Sequence, residues 1–435
     1  MASTFETDLY RRTHGELCKI AMIDSHEHLQ REKELPQGED IHIGRFFRHY
    51  LSTDVVSAGM VRSDMDRVHL DPSLTPKDRW KLIEPWYKKV WNTAYCEAQR
   101  IICQEIYGVE DICKDTVDDL TDTMRQRIKP GFTREIFDQS NIDYAMNNPF
   151  GPKLVFNPDH GFDCFIVDMV DGFTTLDIHE LRHQSGLPIE SLDDYLRVID
   201  FYFERDARCA SAFKVGRAYD RTLTWNDVPE GDAERVFNRL LALNDRPDRR
   251  DIQALEDFVL HYLCRKCGEY DLRMKFHTGV HEGNITTIMN SRAALMANIF
   301  TKYPSTKFDI YHISYPYEEE VALLVKAFPN VTADFCWVWV GNPAVGRRAL
   351  SDMLDMVPAN KIIGFGADYV YVEGVLAHAI MARREIARVL CEKIEEGRFT
   401  EDYANQVGRI LLRDNALEAF DLENRRVAFK QRAGE

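Results

Sequence analysis

Ile20-Ala21-Met22-Ile23-Asp24-Ser25-His26-Glu27-His28 is the stretch on which the reading of this chain turns. Four apolar residues predict a short buried strand, and an acid and two imidazoles follow at once. Side chains alternate faces along a strand, so His26 and His28 point the same way. Two neutral imidazoles on one face are a compact start to a site for zinc or a similar divalent ion. On this geometry Glu27 points away and acts as a structural acceptor, while Asp24 is placed to orient a ligand from behind. The pair alone decides little. Fourteen histidines in 435 residues give about 0.45 such pairs by chance. Two polar residues in a loop after a buried strand would look the same.

Outward from this stretch, the chain first turns helical. Between Pro76 and Tyr107 the apolar residues Leu82, Ile83, Trp86, Tyr87, Val90, Trp91, Ala94, Tyr95, Ala98, Ile101 and Ile102 keep helical spacing. A second helix is expected near Val117–Ile128. Together they predict a helical insertion at about residues 40–130, its aromatic stripe packed against the body of the protein. From Gly131 onward short β-rich runs alternate with longer helical ones. Strands are expected at Ile20–Asp24, Ile142–Asn147, Cys164–Asp168, Ala210–Val215, Arg273–His277, Phe308–His312, Val331–Phe335 and Ile362–Gly366. Helices are expected between most of them, among them Asp251–Lys266, Ser291–Tyr303, Tyr317–Phe328 and Pro343–Met356, with Val372–Ile394 and Glu401–Leu412 closing the chain. Eight strand–helix alternations predict an α/β fold, a (β/α)8 TIM barrel formed by residues 1–435 as one domain, with a helical insertion after strand 1 and a helical C-terminus.

A barrel of this kind gathers the C-terminal ends of its strands around one site. Strand 1 ends in His26 and His28, strand 5 in Lys275-Phe276-His277-Thr278-Gly279, strand 6 in Tyr311-His312, and strand 8 in Gly366-Ala367-Asp368-Tyr369. A lone histidine in such a place is more often a satisfied core or cap residue. Four strand ends bearing His, His, His, His and Asp together point to a metal site.

With these residues in place the chain resembles the amidohydrolase superfamily, metal-dependent (β/α)8 barrels with His-x-His after strand 1, histidines on strands 5 and 6, and Asp on strand 8. The resemblance implies metal ligands His26, His28, His277 and Asp368. It implies for His312 either a ligand of a second metal or, with a single metal, a catalytic residue contacting the substrate. Within the superfamily the layout is most similar to the uronate isomerases. The shared features are the Trp-rich insertion after strand 1, Cys336-Trp337-Val338-Trp339 followed by Asn342-Pro343, and the long helical C-terminus. The His277-Thr278-Gly279 run and His312 look more like hydrolytic or decarboxylating members. On strand 4, Lys214 sits where binuclear amidohydrolases carry a carbamylated lysine that bridges two ions. It serves equally as an ammonium toward a substrate oxygen or in a structural ion pair.

Arg217, Tyr219 and Arg221 follow on the same strand and loop. Arginine forks suit a carboxylate, so an anionic substrate and ordinary ion pairs are both open. Trp337 and Trp339 are expected to share a face at the end of strand 7, as core or as pocket wall. The leading expectation is a metal-dependent hydrolase of a small, carboxylate-bearing carbonyl or lactone compound. It uses one zinc ion, or two if Lys214 is carbamylated, with Asp368 as ligand and general base and His312 polarising the substrate. A uronate (aldose–ketose) isomerase, a non-oxidative decarboxylase and a non-catalytic binding barrel are the alternatives.

Composition bounds the rest. A net charge of −16 disfavours a nucleic-acid partner. A hydrophobic content of 45% with 29% charged residues is ordinary for a globular protein. No apolar stretch approaches membrane-spanning length and no signal peptide is apparent. Ten scattered cysteines suit a reducing compartment, and a cytoplasmic location is expected. Cys264-Arg265-Lys266-Cys267 reads as a helix end rather than a redox motif. A homo-oligomer is left open.

Overall fold

The computed structural model describes residues 7–148, 164–242, 247–284 and 287–433. Nine strands occur in them: β1 Met22–Glu27, β2 Ile142–Asn147, β3 Phe165–Val167, β4 Met169–Val170, β5 Phe213–Val215, β6 Met274–Phe276, β7 Phe308–Ile310, β8 Val331–Asp334 and β9 Ile362–Ile363. Helices connect most of them, and the chain adopts the parallel-strand α/β class expected of a (β/α)8 barrel. It divides into two compact units. One comprises Met1–Ala145, Val280–Thr286 and Phe335–Asn415; the other comprises Met146–Gly279, Thr287–Asp334 and Ala416–Glu435.

In the first unit β1 is buried along its whole length. At its start Met22 N–H donates to Asn141 O at 2.9 Å, next to β2. On its other side lies the run through β9 to Tyr369. Ser25 N–H donates to Phe365 O, Asp368 N–H to His26 O at 2.9 Å, and His28 N–H to Tyr369 O. Residues 335–337 pair in turn with that run, through Phe335 N–H to Ile363 O and Trp337 N–H to Gly366 O. The end of β1 and the run that follows β9 are therefore neighbours joined by backbone bonds, the first carrying His26 and His28 and the second Asp368.

The insertion is helical, as the periodicity predicts, and richer than expected. Two further helices, Tyr50–Ser57 and Arg62–Leu70, precede Pro76–Val90. The continuous helical stretch expected over Pro76–Tyr107 is broken in two. Thr93 adopts extended backbone and its side chain accepts from Cys96 N–H, so it ends one run and caps the next, Ala94–Glu105. Thr75 does the same for Pro76–Val90 by accepting from Asp78 N–H. Trp80, Ile83, Tyr87 and Val90 then bury one helical face.

The 24-residue helix Val372–Glu395 is the axis of this unit. It packs against Asp8–Cys18, Phe132–Ser140, Pro343–Met356 and Ala94–Glu105. Its Arg383 donates to Ser140 O at 2.7 Å and to Ile20 O and Asn141 O at 3.2 Å, which fastens it to the root of β1. Its Gly374 is obligatory for packing: a Cβ there would lie 2.1 Å from the Tyr369 ring.

His378, on the same helix, is fully buried, and its Nδ1 lies 3.1 Å from Ala367 O. Burial pushes the imidazole down to about 3. Because the folded pKa lies below the unfolded one, this neutral histidine supports the fold fully above about pH 6.5 and withdraws that support as pH falls toward 3. The decline is about 1.4 kcal/mol per pH unit. Urea denaturation at pH 7.5 and pH 5 should show a smaller pH-dependent loss in a His378→Phe variant than in the wild-type chain. Equal losses would refute the assignment.

In the second unit β4, β5, β6, β7 and β8 lie side by side in chain order, all parallel. Lys214, Lys275, Asp309 and Thr332 fall in register across β5 to β8. Beyond β7 the expected strand end at His312 becomes a tight turn, with His312, Ile313 and Ser314 at φ 62°, 42° and 52°. Ser314 Oγ steadies it by accepting from Ala293 N–H at 3.0 Å. The helix expected over Ser291–Tyr303 is replaced by two 3₁₀ turns and the short helix Ala297–Lys302. Cys264 and Cys267 lie within the last turns of Arg249–Glu269, both buried, with burial raising both thiols, as suits a helix end rather than a reactive pair.

Candidate metal centre

β1 delivers His26 and His28 to one face, as strand alternation requires. Their Nε2 atoms are 3.2 Å apart. Asp368 Oδ1 lies 3.6 Å from His26 Nε2 and 3.4 Å from His28 Nε2. Ligand bonds of about 2.1 Å directed to the corners of a tetrahedron leave donors about 3.4 Å apart. The triangle of 3.2, 3.4 and 3.6 Å fits three such corners. Two imidazole nitrogens and one carboxylate oxygen suit zinc or a related divalent ion, and the fourth corner is left for solvent or substrate. His26 and Asp368 are buried and His28 is half-buried, so that approach is from the His28 side.

The residues between and beside these donors hold them in place. Asp24 Oδ1 accepts from His26 N–H at 3.1 Å and from Ala367 N–H at 3.0 Å, so one carboxylate clamps the backbone next to two ligands. Glu27 points the other way and accepts from Tyr369 N–H at 3.0 Å. Burial, reinforced by the Asp24 carboxylate, raises the Glu27 carboxyl well above its ordinary range. Asp368 itself is held at φ 56°, His49 at 58° and Trp337 at 69°. Such conformations cost about 1–3 kcal/mol each in non-glycine residues, and they gather where geometry matters to function.

An aromatic cluster lies near Asp368. The Tyr50 ring lies 4.8 Å from Trp337 and 5.3 Å from Tyr95, and Tyr95 lies 5.9 Å from Tyr369. His49 stands 4.5 Å from Tyr50. Trp337 does not share a strand face with Trp339, because residues 338–341 turn into a helical loop. Trp339 goes to the core, stacked on Phe335 with its indole N–H on Gly364 O at 2.8 Å. His49, Tyr50 and Tyr95 all belong to the expected insertion, whose aromatic density is the sequence signal that points to them.

The second unit brings together another pair. His312 Nε2 lies 3.2 Å from His277 Nδ1, and the Tyr219 ring packs on His277 at 4.6 Å. Lys214 is buried with its ammonium 4.3 Å above the Tyr311 ring. Lys275 pairs with Asp168 at 2.8 Å, both fully buried, and Ser211 Oγ donates to the same carboxylate. Arg217 and Arg221 both reach Glu256, at 2.9 and 2.8 Å, and Arg221 also reaches Asp257 at 2.5 Å. The two forks chosen as carboxylate binders thus bind carboxylates of the protein itself.

The amidohydrolase family model matches residues 197–422, more than half of the chain. The chain belongs to the amidohydrolase family, and it is an enzyme of that metal-dependent superfamily. Its fold is shared with a uronate isomerase of Thermotoga maritima, at a TM-score of 0.81 and 13% identity over 95% of this chain and 98% of that one. It is shared also with a glucuronate isomerase of Caulobacter crescentus, at 0.78 and 16% over 96% of each chain. Protein fluG of Emericella nidulans is 25% identical over 244 residues, which are 55% of this chain and 25% of that much longer protein. Among the described residues no helix is long and apolar enough to cross a membrane.

Proposed function

We propose that this enzyme is a zinc-dependent hydrolase of a small carbonyl or lactone compound, with His26, His28 and Asp368 as metal ligands. The observation that carries the reading is the donor triangle, whose three sides match a tetrahedral ion with one corner open. A divalent ion held there supplies Lewis acidity, polarising a carbonyl and making water nucleophilic near neutral pH. Asp368 accepts the proton of the attacking water, and its clamped, strained backbone keeps the carboxylate aimed. The family pattern supports His277 as a further ligand, which would take the open corner and leave solvent or substrate to enter as a fifth donor, and His312 as the residue that polarises the substrate oxygen. One ion is proposed rather than two, since the donor set for a single ion is complete without Lys214.

The substrate is proposed to be anionic, with Tyr219 beside His277 as a contact; Arg217 and Arg221 are already held by Glu256 and Asp257. Ten free cysteines, most of them buried, support a reducing, cytoplasmic setting. Aldose–ketose isomerisation of a uronate is the second reading, favoured by the fold shared with two isomerases. Metal analysis of the purified chain, joined to a screen of lactones, N-acyl amino acids and uronates, tests both. About one zinc per chain and hydrolysis of a lactone or N-acyl compound are expected. Interconversion of glucuronate and fructuronate would replace hydrolysis by isomerisation, and a chain that binds no divalent ion would overturn both readings.

A further inference from the structure

Tyr95 opens the insertion helix Ala94–Glu105, far in sequence from every metal donor. It is 6% exposed, and its hydroxyl is buried with no hydrogen-bond partner among the described residues. Buried hydroxyls are nearly always paired, so an orphaned one marks a place that something else completes. Its surroundings say what. The ring stacks on Tyr50 at 5.3 Å, lies 6.3 Å from Trp337, and stands 5.9 Å from the ring of Tyr369, the residue after Asp368. Burial, with the Tyr369, Tyr50 and Asp368 groups nearby, holds the phenol well above its ordinary value. It is therefore a proton-bearing donor at neutral pH, near Asp368 and among aromatic rings.

We propose that Tyr95 is a substrate-binding residue, its hydroxyl donating a hydrogen bond to an oxygen of the compound held at His26, His28 and Asp368. The aromatic surroundings of that hydroxyl, Tyr50, Trp337 and Tyr369, then suit a substrate with an apolar, unsaturated or aromatic group next to that oxygen. The inference rests on the metal reading. It also gives the insertion a task beyond packing: to supply a donor from outside the strand ends.

Zinc-loaded full-length protein titrated calorimetrically with benzohydroxamate tests it. That probe carries two adjacent oxygens for the ion and a planar ring for the aromatic surroundings. Tyr95→Phe keeps the ring and removes only the orphaned oxygen. It should bind benzohydroxamate about tenfold more weakly, the size of one lost hydrogen bond, with zinc content and melting midpoint unchanged. Acetohydroxamate, which lacks the ring, should show the same tenfold loss, whereas Tyr95→Leu should weaken benzohydroxamate further. Equal affinities of wild-type and Tyr95→Phe protein for both probes would overturn the proposal, as would failure of the zinc-loaded wild-type chain to bind either. Absence of zinc from the wild-type chain, read separately in the same samples, would instead overturn the metal reading.

Discussion

Asp368→Asn should lower turnover of the substrate found by the screen by about 10²–10⁴-fold while leaving the melting midpoint close to that of the wild type. The substitution keeps the size and shape of the side chain and takes away its basicity. It is also suited to the backbone: Asp368 sits at φ 56°, a conformation that asparagine tolerates as well as aspartate does. Alanine at the same position would add strain and confuse the result. Zinc content should fall as well, because a neutral amide oxygen is a poorer ligand than a carboxylate. Metal content and activity should be measured at saturating zinc, so that the base is tested apart from the ligand. Undiminished turnover with zinc restored would remove Asp368 from the role of base.

Glu256→Ala should destabilise the protein by about 3–5 kcal/mol, measured by chemical denaturation. Glu256 is buried and accepts from Arg217 at 2.9 Å, Arg221 at 2.8 Å and Arg249 at 2.9 Å. Removing it strands two buried guanidinium groups with reduced partnership. Arg221 would keep Asp257 and its place 4.0 Å over the Trp225 ring; Arg217 would keep only the exposed Asp220 among the carboxylates it now reaches. The same variant tests the two arginines as substrate binders. If their present task is structural, stability falls and the Michaelis constant of the folded fraction stays within about twofold. A stable variant with altered substrate affinity would assign them to recognition instead.

The parts of this protein legible in its sequence are those set by local period. Alternation along β1 placed His26 and His28 on one face, and the structure has their nitrogens 3.2 Å apart. Strand–helix alternation gave the parallel α/β class and pointed to Asp368 as a partner from another strand end. The illegible parts depend on partners distant in sequence. Arg217 and Arg221 read as carboxylate forks, which they are, but nothing in their spacing showed that Glu256 and Asp257 would reach them first. Tyr95 read as one more apolar residue in a helical stripe, because an orphaned hydroxyl has no signature until its neighbours are known. The turn at His312–Ser314 carries no glycine, so its three left-handed residues were invisible too.

The bonds from Ala367 N–H to Asp24 and from Tyr369 N–H to Glu27 join residues 343 and 342 positions apart. Closing a loop of that size costs about 5 kcal/mol in chain entropy, and no local element can offset it in advance. During synthesis β1 leaves the ribosome early and waits, with two histidines displayed, for a segment made more than 300 residues later. A nascent or truncated chain that stops before Ala367 has two of the three residues of the triad and lacks the amides that steady Asp24 and Glu27. On the proposed metal reading, zinc capture by this triad marks a chain extended past Tyr369, and metal uptake can serve as a reporter of that late closure.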